Sequence, residues 1–180
     1  MIPWFCSPDS RASIHQPLLQ AVPPGAMRIL EVGCGEGRLG QALKLLHPQR
    51  TVFGIEQDSD LAAKAQPVLD QVCSVDPAID LPPLDAGSLD CIVFDRVLST
   101  FVDPEAVLHR YRSLLQPEGC ILCTIPNLQH HSVLRGLLRG DFQYQPQGIL
   151  ASNHLRFFTW STVMKMLLDT GFAPRLLHRT

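Results

Sequence analysis

Charge and long apolar runs are both scarce in this chain, and each scarcity removes a class of function. Only 18% of residues are charged and the formal net charge is −2, so no broad field draws the chain onto nucleic acid phosphates. Arg135, Arg139 and Arg156 come nearest to a basic patch and read as scattered surface charge. No stretch approaches the roughly 18 consecutive apolar residues of a membrane span. The opening Met1-Ile2-Pro3-Trp4-Phe5-Cys6 has no signal-peptide pattern. The expectation is a soluble, cytoplasmic protein. Apolar content of 46% argues for a packed core rather than disorder, and 180 residues suit one domain over 1–180.

Cysteine is present without the arrangement that metal or redox work demands. Cys34, Cys73, Cys91, Cys120 and Cys123 fall in or beside predicted buried strands, where a free thiol behaves as a small hydrophobe. Cys120-Ile121-Leu122-Cys123 spells CxxC, but residues three apart on a strand point to opposite faces and cannot clasp one ion. No metal site is expected.

The chain is organised around Ile29-Leu30-Glu31-Val32-Gly33-Cys34-Gly35-Glu36-Gly37-Arg38-Leu39-Gly40. Ile29–Val32 is the short apolar run of a buried parallel strand, and Leu39–Leu46 has helical spacing (Leu39, Ala42, Leu43, Leu46). Glycine between them permits positive φ and close ligand approach, and the helix N-terminus presents unpaired N–H groups. The spacing Gly33-x-Gly35-x-Gly37 departs from the Gly-x-Gly-x-x-Gly of dinucleotide sites. Glu31, just before it, would repel a pyrophosphate and suits a ligand with a cationic amino group.

Glu31 to Gly37 resembles, residue for residue, the E/D-x-G-x-G-x-G motif of class I S-adenosylmethionine-dependent methyltransferases. The resemblance implies a three-layer α/β sandwich with a mostly parallel, Rossmann-like sheet. It implies S-adenosylmethionine as cofactor, held by Glu31, Gly33, Cys34, Gly35, Glu56, Gln57, Asp76 and Asp95. Thr51–Glu56 reads as the second strand, and Glu56 at its end, about twenty residues past the glycines, can accept from ribose hydroxyls. Asp58 or Ser59 can cap a helix through Leu61 to Ala65. Gln71–Val75 reads as the third strand. Asp76 stands where the family binds the adenine amino group, though Asp76-Pro77 is also a turn opener.

Leu89–Asp95 is the predicted fourth strand, and its Asp90 matches a structural acid of the family. Asp95-Arg96-Val97-Leu98-Ser99-Thr100-Phe101-Val102-Asp103-Pro104 is similar to a D-V-L-E-H-L-x-D-P pattern, with Ser99-Thr100 for Glu-His and Arg96 for the acid. Pro104–Leu115 has helical spacing. Leu115-Gln116-Pro117-Glu118-Gly119 looks like the family's L-x-P-G-G turn, leading to a fifth strand over Gly119–Ile125.

Residues 128–158 read as an insertion over the acceptor side, and 1–27 as a covering segment with a weak helix over Ser13–Val22. Gly148 to Thr159 resembles the G-I-L-D-x-T-H-L-R-F-F-T of bacterial enzymes linked to glycan pathways, with Ala151 and Asn153 departing. His131 and His154, with His130 beside them, are the weak candidates for a catalytic base. Thr159 or Ser161 should cap a last helix, and Ala173–His178 should lie parallel against the fifth strand. The expectation is that no residues remain here for the family's seventh strand, as in a shortened variant or a piece of a longer protein.

The expected activity is methyl transfer to a small-molecule or glycan acceptor. A cofactor-binding relative with lost or altered activity is the alternative, and an NAD-dependent oxidoreductase a distant one. No nucleic acid partner is expected, and oligomeric state is left open.

Overall fold

A computed structural model describes residues 16–174. Its elements run α1 (Gln16–Ala21), β1 (Arg28–Val32), α2 (Arg38–Leu46), β2 (Thr51–Glu56), α3 (Ser59–Ala65), β3 (Gln71–Ser74) and β4 (Leu89–Asp95). After a 3-10 turn at Leu98–Thr100 come α4 (Pro104–Arg112), β5 (Leu115–Thr124), α5 (His131–Leu138) and α6 (Trp160–Asp169). The strands form one five-stranded sheet in the order β3-β2-β1-β4-β5, with every pairing parallel. The expectation of a mostly parallel α/β sheet is met.

Alternation along each strand builds the layers. Ile29, Val52, Cys91 and Val93 pack on one face with Leu18, Leu39, Leu43 and Ala65 of α1, α2 and α3. Leu30, Phe53, Ile92 and Phe94 turn to the other face, under Val107, Leu108 and Tyr111 of α4 and Met166 and Leu167 of α6. With both faces covered, the strands are apolar nearly throughout, as buried parallel strands must be. The chain winds outward from β1 to β3, then returns to place β4 on the other side of β1. That reversal leaves a crevice at the carboxyl ends of β1 and β4, the general ligand site of such sheets.

Two side chains lock this frame. Asp90 accepts hydrogen bonds from the Met27 and Arg28 amides, each at 2.7 Å, and from Gln116 Nε2 at 2.6 Å. It thus ties the start of β1 to β5, in keeping with the structural role its motif position implies. Tyr111, 1% exposed, donates to the Pro77 carbonyl at 3.1 Å and stacks edge-on against Phe94.

The strand and helix boundaries depart from expectation around β5. Helix α4 stops at Arg112 rather than Leu115, and β5 begins at Leu115 rather than Gly119. Leu115 pairs with Leu89 and Cys120 with Cys91, so residues 116–119 bulge out opposite Asp90 alone. The Gln-Pro-Glu-Gly turn is therefore carried inside the strand. Cys120 and Cys123 pack against opposite cores, as their spacing requires.

Of the covering segment, only the part from residue 16 is described; it holds α1, with Pro17 in the first turn where its missing N–H costs nothing. Trp4, Phe5 and the start of the expected Ser13–Val22 helix lie outside the described residues. So does most of the strand expected over Ala173–His178. Thr159 caps α6 through a reciprocal pair with Thr162. Among the described residues, no helix is long and apolar enough to cross a membrane.

Candidate active site

The turn after β1 is tied to the end of β2: the Gly33 and Cys34 amides both donate to the Ile55 carbonyl, at 2.8 and 3.1 Å. Gly33, Gly35 and Gly37 all take positive φ (72°, 54° and 78°), which explains glycine at each. Their surroundings differ. A Cβ on Gly37 would stand 2.9 Å from Val68 Cγ2, and one on Gly33 3.1 Å from Val97 Cγ2. A Cβ on Gly35 would meet nothing within 4 Å, because that position faces open space. Gly37 serves packing, and Gly35 leaves room for something outside the chain. Gly54, which drew no attention as a site residue, is also demanded by packing: its Cβ would stand 2.7 Å from Cys34 Sγ.

Two carboxylates flank this turn. Glu56, ending β2, accepts from the Gly35 amide at 2.7 Å and from the Asp58 amide at 3.0 Å. These two amides pin the side chain, which borders a cavity of about 680 Å³. Glu31 is 4% exposed and accepts from the Gly40 amide at 3.1 Å. Burial pushes its carboxyl up to about 8; the Gly40 hydrogen bond opposes the rise, and Asp95 and Glu56 nearby add to it. A carboxyl held this way gains most from a cation brought beside it. Glu31 lines a second, smaller cavity of about 200 Å³ together with Gly33, Cys34, Gly35 and Asp95.

The remaining expected cofactor residues divide. Gln57 and Asp76 line the larger cavity, and Asp76 also accepts from the Ala78 amide at 2.8 Å, so it forms the turn and the wall at once. Asp95 lines both cavities and accepts from Thr124 Oγ1. Cys34 turns its buried thiol inward, and burial pushes that thiol up to about 12. Its amide is already spent on Ile55, so Cys34 shapes the turn from beneath.

The histidines stand elsewhere. Neither cavity is lined by His130, His131 or His154. His130 caps α5, with Nδ1 at 2.8 Å from Ser132 Oγ, and stacks on His131. His154 is buried, its Nδ1 3.0 Å from the Ile149 carbonyl. The larger cavity is walled instead by Arg96, Thr100, Arg110 and Asn153. Three of these (Arg96, Thr100, Asn153) sit where the sequence departs from the family pattern, a signal that marked the wall without giving its role. Arg110 carried no signal. The Ser99 carbonyl joins the insertion to this wall, accepting from the Leu155 and Arg156 amides at 2.8 and 3.0 Å.

A Gly-rich turn at a topological switch point, an acid at the end of β2 and a buried acid inside β1 define a nucleoside-ligand α/β domain. Residues 10–177 match the family model described as a methyltransferase domain, and the chain belongs to that family of S-adenosylmethionine-dependent enzymes. It is 30% identical over 108 residues to a ubiquinone biosynthesis O-methyltransferase of Xanthomonas axonopodis, covering 58% of this chain and 45% of that protein. It is 32% identical over 102 residues to an uncharacterized 37.1 kDa protein in a Streptomyces fradiae transposon, covering 54% of this chain and 30% of that one. The chain thus spans less than half the length of these curated relatives.

Its fold is shared with a methyltransferase from Archaeoglobus fulgidus (TM-score 0.71, 18% identity, 91% of this chain and 70% of that one). It is shared also with the plantazolicin methyltransferase BpumL in complex with S-adenosylhomocysteine (TM-score 0.66, 18% identity, 81% of this chain and 56% of that one).

Proposed function

We propose that this chain binds S-adenosylmethionine across the ends of β1, β2 and β4 and directs its methyl group to a small-molecule or glycan acceptor. The observation that carries this reading is Gly35: its α-carbon faces open space on the wall of the smaller cavity while Glu56, which borders the larger one, holds its amide in place. The donor set fits the cofactor. Glu31 would hold the amino group, the Gly33–Gly35 backbone would pass beside the chain of the ligand, and Glu56 would meet the ribose. Gln57 and Asp76 would border the adenine. Bound there, the cofactor supplies a methyl group on a sulfonium, whose departure as a neutral thioether needs little covalent help.

The residues of the chain therefore contribute alignment and exclusion of water rather than a nucleophile. The insertion, joined to the wall through Ser99, would cover the acceptor side. A cytoplasmic setting is part of the same reading. Calorimetry tests the proposal: S-adenosylhomocysteine should bind to the wild-type chain, NAD should not, and Gly35→Val should abolish the binding. Unchanged affinity in that variant would overturn the assignment.

A second reading, cofactor binding with lost or altered activity, is favoured by the absence of His130, His131 and His154 from the cavity walls. A methyl-release assay over phenolic, carboxylate and saccharide acceptors separates the two.

A further inference from the structure

Gly33, Asp95 and Arg96 border both cavities, and Arg96 brings a full positive charge to that divide. Among the described residues it is the one non-glycine with positive φ, at 56°. Its amide donates to both the carbonyl and the hydroxyl oxygen of Thr124, at 3.1 and 3.0 Å, which holds the backbone in that conformation. A bulky residue in the left-handed region is disfavoured, and such residues gather where a site needs a side chain aimed in one direction.

The other cations of the two cavities are engaged. Arg38 is paired with Glu36 at 2.8 Å, and Arg110 donates to the Ala78 carbonyl. Arg96 is half-exposed, and among the described residues its nearest ion-pair partner is Asp95, with Nε 3.8 Å away. That is beyond hydrogen-bond length, and the Asp95 carboxylate already accepts from Thr124. The planar fork of a guanidinium is suited to bidentate capture of a carboxylate or phosphate.

We propose that Arg96 receives an anionic group, a carboxylate or phosphate, carried by the methyl acceptor, so that the acceptor is an anionic small molecule. The proposal rests on the methyl-transfer reading above. In a site that reading gives to a sulfonium, a guanidinium whose paired carboxylate stands 3.8 Å away and is shared with Thr124 adds like charge beside the ligand; an acceptor bearing an anion offsets it. The charge also stands where the resembling pattern carries an acid, so this selectivity belongs to this chain.

The test uses wild-type chain saturated with S-adenosylhomocysteine, titrated with benzoate and with inorganic phosphate, and with benzyl alcohol as the neutral control. Benzoate and phosphate should bind and benzyl alcohol should not. Arg96→Asn, a residue that tolerates left-handed backbone, should weaken both anions at least tenfold while holding S-adenosylhomocysteine affinity within about twofold. Arg96→Lys should retain phosphate better than benzoate, since an ammonium is a point charge without the fork. Equal anion affinity in wild type and Arg96→Asn, or no anion binding to the wild type, would overturn the proposal. So would a tenfold loss of S-adenosylhomocysteine affinity in Arg96→Asn with methylthioadenosine binding unchanged, because the guanidinium would then serve the cofactor's own carboxylate. Failure of S-adenosylhomocysteine to bind the wild-type chain would remove the methyl-transfer reading, and this proposal with it.

Discussion

The β1-turn-α2 region and the 128–158 insertion lie on the same edge of the sheet and are built by opposite rules. In β1, Ile29, Leu30, Glu31 and Val32 are all buried, and the turn that follows is held by backbone bonds to β2 and by a carboxylate. In α5 only Val133 is buried, while Leu134, Leu137 and Leu138 stand 46%, 45% and 90% exposed. The buried positions of the first region leave little room for a change of side chain; the second meets the body of the protein through the amides of Leu155 and Arg156 and through anchors such as Phe158. On the proposed function, the rigid part would meet the cofactor and the loosely packed part the acceptor, in keeping with variable binding elements carried on a fixed scaffold.

The largest expected effect follows from Glu31. Its carboxyl is raised from an ordinary 4.5 to about 8 because burial disfavours the charged form. The folded state therefore binds the proton more tightly than the unfolded chain. This contribution is fully present below about pH 4.5, declines as pH rises towards 8 and is spent above it. At about 1.4 kcal/mol per tenfold change, it amounts to roughly 4–5 kcal/mol. Urea titrations of wild type and Glu31→Gln across that range should diverge by this order, and parallel curves would show that Glu31 ionises freely. An ammonium placed beside Glu31 should reverse the preference, so S-adenosylhomocysteine binding near pH 7 should release close to one proton, measurable by calorimetry in buffers of different ionisation enthalpy.

Next in size is the core itself. Ile92, 0% exposed in the middle of β4, should cost about 2–5 kcal/mol when cut to alanine, read from the urea midpoint. Glu56→Ala should weaken S-adenosylhomocysteine binding by about 1.5–3 kcal/mol. A loss under about 0.5 kcal/mol would reduce Glu56 to a clasp for the Gly35 amide. Gly35→Ala meets no neighbour but forces an alanine to φ 54°, so thermal melting should report about 1 kcal/mol of destabilisation. Smallest of all, Leu138→Ala in the insertion should change stability by less than about 0.5 kcal/mol. A large effect there would mean that the insertion is packed in solution far more tightly than its exposure implies.

Much of the first region could be read without coordinates. The bounds of β2 and β4 match the expected Thr51–Glu56 and Leu89–Asp95, because a strand covered on both faces must be apolar along its whole length. Of the two candidate caps, Asp58 and Ser59, it is Asp58 that accepts from the Asp60 and Leu61 amides. The end of α4 and the start of β5 differ from expectation because both depend on what Asp90 and Leu89 hold across the sheet, and pairing partners distant in sequence leave no local periodicity.

What the sequence determined by itself is what backbone chemistry and burial dictate locally: the strands of the central sheet, the glycine turn, the helix caps and the acids at the ends of β1 and β2. These follow from φ restrictions, from apolar period and from the need to satisfy helix N–H groups, all of which act within a few residues. Only the tertiary structure decided that His130, His131 and His154 lie away from the cavities, and that Arg96, Thr100, Arg110 and Asn153 form the wall. It also decided that Gly35 faces open space while Gly37 faces Val68. The reason is that the direction and partners of a side chain are set by segments folded against it from elsewhere in the chain, and the same residue letter serves as ligand contact, cap or filler according to those neighbours.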